Sequence, residues 1–133
     1  MVSDCRPIAG DPYRVLVVED DPPVARYLEA LLADRGYQVL QARNGVEALV
    51  ALTASPHELP HAVILDLGLP LEAGISVLSF LRNVMRSGAP VIVLTGQQDP
   101  EQEAAVRELG VARFFRKPAS ADQLLGAVAA ALR

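Results

Sequence analysis

The chain has 133 residues, 51% hydrophobic and 21% charged, with a formal charge of -4. At about 100–200 residues per domain it makes one domain, able to bury about two-thirds of its unfolded surface without a disulfide or metal staple. Sixteen acidic against twelve basic side chains argue against a general nucleic-acid or membrane-surface binder. No stretch approaches the roughly 18 uncharged apolar residues of a membrane span, so a cytoplasmic protein is the expectation. The single cysteine, Cys5, can form neither an internal bridge nor a multi-thiol metal site.

Met1–Pro12 sets Pro7, Gly10 and Pro12 among charges and reads as a flexible leader, leaving one domain over 13–133. Arg14–Val18 is an unbroken β-branched run, the pattern of a strand buried on both faces. Glu19-Asp20-Asp21-Pro22-Pro23 stops it. From Val24 the apolar positions Tyr27, Leu28, Leu31 and Leu32 recur at helical spacing until Gly36, a C-cap candidate. Tyr37–Leu40 reads as a second strand. Asn44 and Glu47 form a capping-box candidate for a helix whose apolar face is expected at Val46, Leu49, Val50 and Ala54.

Ala62–Leu65 is a third strand running straight into Asp66. A Gly/Pro loop then leads to a helix with Val77, Leu78, Leu81 and Met85 on its apolar face. Pro90–Leu94 is a fourth strand ending at Thr95-Gly96. Asp99-Pro100-Glu101-Gln102 starts the next helix with a cap, a first-position proline and a glutamine three residues past the cap. Gly110 ends that helix, and Val111–Arg116 is a short fifth strand closed by Lys117-Pro118. Ser120 and Gln123 repeat the capping box before Leu124, Leu125, Val128 and Leu132.

Five consecutive β-α units with short connections and right-handed crossovers predict one parallel sheet with helices on both faces. The expected fold is a (βα)5 doubly wound, flavodoxin-like sheet of strand order 2-1-3-4-5, with its crevice at the carboxyl ends of the strands. That order gathers Glu19, Asp20 and Asp21 from the first strand, Asp66 from the third, Thr95 from the fourth and Lys117 from the fifth. Carboxylates so close repel, and burying one unpaired costs several kcal/mol, so a cation is expected. An all-oxygen cluster suits Mg²⁺ or Mn²⁺. Lys117 is the sole lysine beside eleven arginines, which points to a need for a compact ammonium at that position. His57 and His61 flank Pro60 on the opposite edge and read as surface residues.

These motifs resemble the receiver domain of two-component response regulators over about Tyr13–Leu132. The acidic pair after the first strand is Glu19 and Asp20 in V-L-V-V-E-D-D-P. The family's phosphoacceptor position is Asp66 in V-I-L-D-L-G-L-P, and its D-x-x-x-P-x-x-x-G spacing is met by Asp66, Pro70 and Gly74. Thr95 stands in V-I-V-L-T-G, and the K-P pair, typically joined by a cis bond, is Lys117-Pro118.

The resemblance implies that Asp66 takes a phosphoryl group from a histidine kinase or a histidine phosphotransfer protein. It implies Mg²⁺, or Mn²⁺, held by Asp20, Asp66 and the Gly68 backbone carbonyl, with Glu19 acting through water. Lys117 and Thr95 would contact the phosphoryl group, Thr95 and Phe114 would form the switch, and Gly68 and Gln97 would tune phosphoryl lifetime. The usual tyrosine of that switch is Phe114 here, so it reports only by packing. The signal would leave by the face of the fourth helix, fifth strand and last helix, towards a downstream protein or a second copy of the chain. No direct nucleic-acid or membrane contact is expected. With the chain stopping just after its last helix, a stand-alone receiver is the expectation. It is a signalling protein, not an ordinary enzyme, with phosphorylation and dephosphorylation of itself as its chemistry. The alternative is a docking or scaffold module that keeps the fold without the phosphorylation cycle.

Overall fold

The computed structural model describes residues 12–54, 59–66, 71–96 and 100–132. Five strands, β1 (Arg14–Val18), β2 (Gln38–Ala42), β3 (Ala62–Asp66), β4 (Val91–Thr95) and β5 (Arg113–Arg116), alternate with five helices. The helices are α1 (Pro22–Ala33), α2 (Gly45–Thr53), α3 (Leu71–Ser79), α4 (Pro100–Leu109) and α5 (Ala121–Ala131). The sheet is parallel, in the expected order β2-β1-β3-β4-β5.

Alternation along the strands builds two apolar layers. Leu16, Val18, Val63, Leu65, Val91 and Val93 pack with Ala48 and Leu52 of α2, Val77 and Leu78 of α3, and Val106 of α4. Val15, Val17, Ile64, Ile92 and Leu94 turn to the other face, with Leu28 and Leu32 of α1 and Leu124 and Val128 of α5. Burying each such side chain is worth about 1.5–3 kcal/mol, which is why β3 and β4 carry no polar residue before their last position. On the edge strand β5 the alternation sends Phe114 to the first layer and Phe115 to the second.

Local signals place most helix ends. Ser120 Oγ accepts from Gln123 N–H at 3.1 Å and Gln123 Oε1 accepts from Ser120 N–H at 3.0 Å, completing the capping box of α5. Gly36 and Gly110 take positive φ, 88° and 95°, in the turns that end α1 and α4, a conformation glycine adopts without a Cβ clash. The Lys117–Pro118 bond is cis, as expected.

Several expectations need correction. The α1 helix begins at Pro22, because its two prolines fit the first helical turn where no N–H donor is needed. Strand β2 runs two residues further than expected and β5 starts two later, at Arg113. The Asn44 box is half formed: Asn44 Oδ1 accepts from Glu47 N–H, but Glu47 Oε1 takes the N–H of Arg43 instead of Asn44. The face predicted for α2 is wrong. Val46 and Val50 are 72% and 61% exposed, while Ala48 and Leu52 face the core. In a helix this apolar, periodicity left two faces open, and packing chose the one against β2 and α3. After α3 the chain widens into a π-helical turn, Phe80–Val84, which helical spacing gave no sign of.

His61 is a further correction: it is buried, not on the surface. Its Nδ1 accepts the Arg14 backbone N–H at 2.8 Å, and its ring meets Tyr13 edge-on at 5.2 Å. The leader up to Asp11, Cys5, His57, the Asp99 cap, Gly68, Pro70 and Gln97 lie outside the described residues.

Candidate functional site

Strand register assembles the site. Val18 pairs with Leu65, so the next residues, Glu19 and Asp66, emerge side by side at the carboxyl edge. Asp66 itself pairs with Leu94, and Thr95 with Arg116, which brings Thr95 and Lys117 to the same edge one strand further out. The backbone closes this end, with Glu19 N–H donating to Ala42 O at 2.9 Å and Lys117 N–H to Thr95 O at 2.7 Å.

Carboxylate oxygens of Glu19, Asp20 and Asp66 all lie within 4.8 Å of one another. Glu19 and Asp66 are buried, whereas Asp20 is open to solvent. The Lys117 ammonium reaches between the buried pair, 3.0 Å from Asp66 Oδ1 and 3.4 Å from Glu19 Oε1. Among the described residues the Lys117 ammonium is thus shared by two buried acids, with the Asp20 carboxylate in the same cluster. Burial first, then the neighbouring Asp66, push the Glu19 carboxyl up to about 8, against the opposing pull of Lys117. Burial works against the charged form of Lys117, but Asp66 and then Glu19 outweigh it and raise the ammonium above its ordinary value.

The residues present fit a hard divalent cation. Glu19 Oε2 is buried without a hydrogen-bond partner among the described residues, and the cluster it belongs to offers further carboxylate oxygens from Asp20 and Asp66. A small divalent ion would supply the missing positive charge and take that oxygen directly or through a water.

The structure therefore brings Glu19, Asp20, Asp66, Thr95 and Lys117 to one edge, with Thr95 buried. Phe114 lies half-buried on β5 on the α4 side, with the Arg107 guanidinium 5.1 Å above its ring. Sequence reasoning missed what holds that arginine. Glu103 Oε1 accepts from Arg107 at 3.1 Å and its Oε2 lies 3.3 Å from Arg116. The four-residue spacing of Glu103 and Arg107 was legible; the reach to β5 was not.

A doubly wound sheet carries at its carboxyl edge an acidic cluster able to hold a hard cation, beside a lysine and a buried threonine. The response regulator receiver domain family matches residues 15–129, and the chain belongs to that family. Among similar proteins is the transcriptional regulatory protein KdpE of Mycobacterium tuberculosis, 41% identical over 119 residues that cover 90% of this chain and 50% of KdpE. The chain spans about half the length of the curated relatives it matches first. A receiver domain protein from Clostridium thermocellum superposes with a TM-score of 0.80 at 27% identity, covering 90% of this chain and 94% of that one. A CheY-like receiver domain from Methanospirillum hungatei JF-1 shares the fold, with a TM-score of 0.83 at 24% identity and coverage of 92% and 94%. No helix among the described residues is long and apolar enough to cross a membrane.

Proposed function

We propose that this receiver accepts a phosphoryl group on Asp66 from the phosphohistidine of a histidine kinase or phosphotransfer protein, in the cytoplasm, and that the modification changes its affinity for a partner. The observation that carries the reading is the Lys117 ammonium 3.0 Å from Asp66 within a cluster of three carboxylates. A carboxylate attacks a phosphorus ringed by negative oxygens only if their charge is neutralised and the approach is in line. Lys117 neutralises one oxygen. Asp66 forms the new O–P bond as the N–P bond of the phosphohistidine breaks, and the donor imidazole leaves with that electron pair and takes up a proton. Thr95 offers a hydroxyl to the transferred group. Mg²⁺, or Mn²⁺, held by Asp20, Asp66, the Gly68 carbonyl and Glu19 through water, would supply the rest of the charge neutralisation. Water later cleaves the acyl phosphate, with Gly68 and Gln97 setting how readily it approaches.

Thr95 and Phe114 carry the signal: the hydroxyl moves towards the phosphoryl group and the ring fills the space it leaves. The face of α4, β5 and α5 then presents a changed surface to a downstream protein or a second copy. Calorimetric titration with beryllofluoride, an acyl-phosphate mimic, tests the reading. Wild type in Mg²⁺ should bind one equivalent, and Asp66→Asn or chelation of the metal should abolish binding. Undiminished binding by Asp66→Asn contradicts it.

A further inference from the structure

We propose that Glu103, Arg107 and Arg116 form an ion-pair latch that holds the Phe114 ring in its half-buried, unswitched position, so that this network sets how readily the receiver switches. The proposal rests on the switch role given above to Phe114.

The geometry is specific to these residues. Arg107 lies with its guanidinium 5.1 Å from the centroid of the Phe114 ring. A cation over the negative face of an aromatic ring is attracted to it, and the contact is lost when the ring rotates away. Glu103, one turn earlier on α4, fixes that guanidinium through Nε at 3.2 Å and a terminal nitrogen at 3.1 Å. The acid lies N-terminal to the base, the favourable order for such a pair in a helix. The second Glu103 oxygen reaches Arg116 on β5 at 3.3 Å. Arg116 is the strand neighbour of Thr95 and directly precedes Lys117. One carboxylate therefore ties α4 to the strand that carries Phe114, next to the threonine that would start the switch.

Each contact is weak alone, since Arg107 and Arg116 are half-exposed at their side chains. A two-state equilibrium responds to differential contacts, however small, and the proposed latch assigns the Arg107–Phe114 contact to the unswitched state, with Glu103 holding Arg107 in place for it. Glu103 and Arg107 act here as positioning residues through Phe114. By linkage, loosening the latch favours the inward ring and tightens binding of any ligand that prefers it. Breaking either pair should raise beryllofluoride affinity by about threefold to tenfold.

NMR on the full chain reads both ends of this coupling, using wild type, Glu103→Gln, Arg107→Gln and the charge-retaining Arg107→Lys. In the free protein, Glu103→Gln and Arg107→Gln should show new nuclear Overhauser contacts between the Phe114 ring and the Thr95 methyl. Both should then bind beryllofluoride more tightly in Mg²⁺, while Arg107→Lys, which keeps the charge but not the paired donors to Glu103, should fall between them and wild type. Rings unmoved in both glutamine variants, or affinities equal to that of a wild type that does bind, overturn the latch. A wild type that binds no beryllofluoride overturns the phosphoacceptor reading instead, and the ring contacts in the free variants still decide the latch.

Discussion

Lys117 carries the most chemistry of any single side chain in the site. Its ammonium serves two acids at 3.0 and 3.4 Å from a strand end, a place for a compact point charge with rotatable donors. The planar fork of Arg keeps the charge but not that fit. Lys117→Arg should therefore retain the fold, by circular dichroism and melting, while partner response to phosphorylation is lost; a normal response would remove the geometric argument. His61 gives a second residue-scale test at the opposite edge. Burial, and then the Arg14 charge, lower its pKa below the ordinary 6.5, and a proton on Nδ1 would end the bond from Arg14 N–H. As pH falls through about 6.5 the unfolded state takes up this proton before the native state does, so this contribution to stability is full above that pH and declines below it. Urea unfolding between pH 7.5 and 5 should show that loss. His61→Leu should flatten the slope while lowering stability at pH 7.5 by about 1–3 kcal/mol, because the Arg14 N–H loses its acceptor.

At the scale of elements, the end of α3 and the outward face of α2 separate what the sequence could show from what it could not. Arg82, in the π-helical turn, donates to Ser87 O at 2.9 Å, Ala89 O at 2.8 Å and Gly110 O at 2.9 Å. It ties the approach to β4 to the turn before β5, and Arg82→Ala should cost about 2–3 kcal/mol in urea unfolding. A change within about 0.5 kcal/mol would make those bonds incidental. Nothing in the sequence marks this arginine, because its acceptors are backbone carbonyls brought close only by the fold. The α2 error has a different cause. Its apolar residues surround the helix, so spacing alone could not choose a face. Val46→Lys should leave stability within about 0.5 kcal/mol, whereas Leu52→Ala should cost about 2–5 kcal/mol. The strands were legible for the opposite reason. Runs such as Val91–Leu94 are short, β-branched and bounded by turn residues, and they admit one reading.

For the whole molecule, strand order and the residue after each strand were enough to expect Glu19, Asp20, Asp66, Thr95 and Lys117 on one edge, since a parallel sheet places every carboxyl end on the same side. Unequal burial was not legible: register and packing hide Glu19 and Asp66 and leave Asp20 in water. Burial and the neighbouring Asp66 disfavour the charged form of Glu19, a cost to the native state that a bound divalent ion would offset. Mg²⁺ at about ten times a dissociation constant on the order of millimolar should raise the melting temperature by about 3–6 °C, and Asp20→Ala should weaken that response. The central claim is that Asp66 is the phosphoacceptor. Intact mass after incubation with acetyl phosphate and Mg²⁺ tests it most directly. The account predicts one added phosphoryl mass on wild type, absent without the metal and absent in Asp66→Asn. The same added mass on Asp66→Asn, or none on wild type, would contradict it.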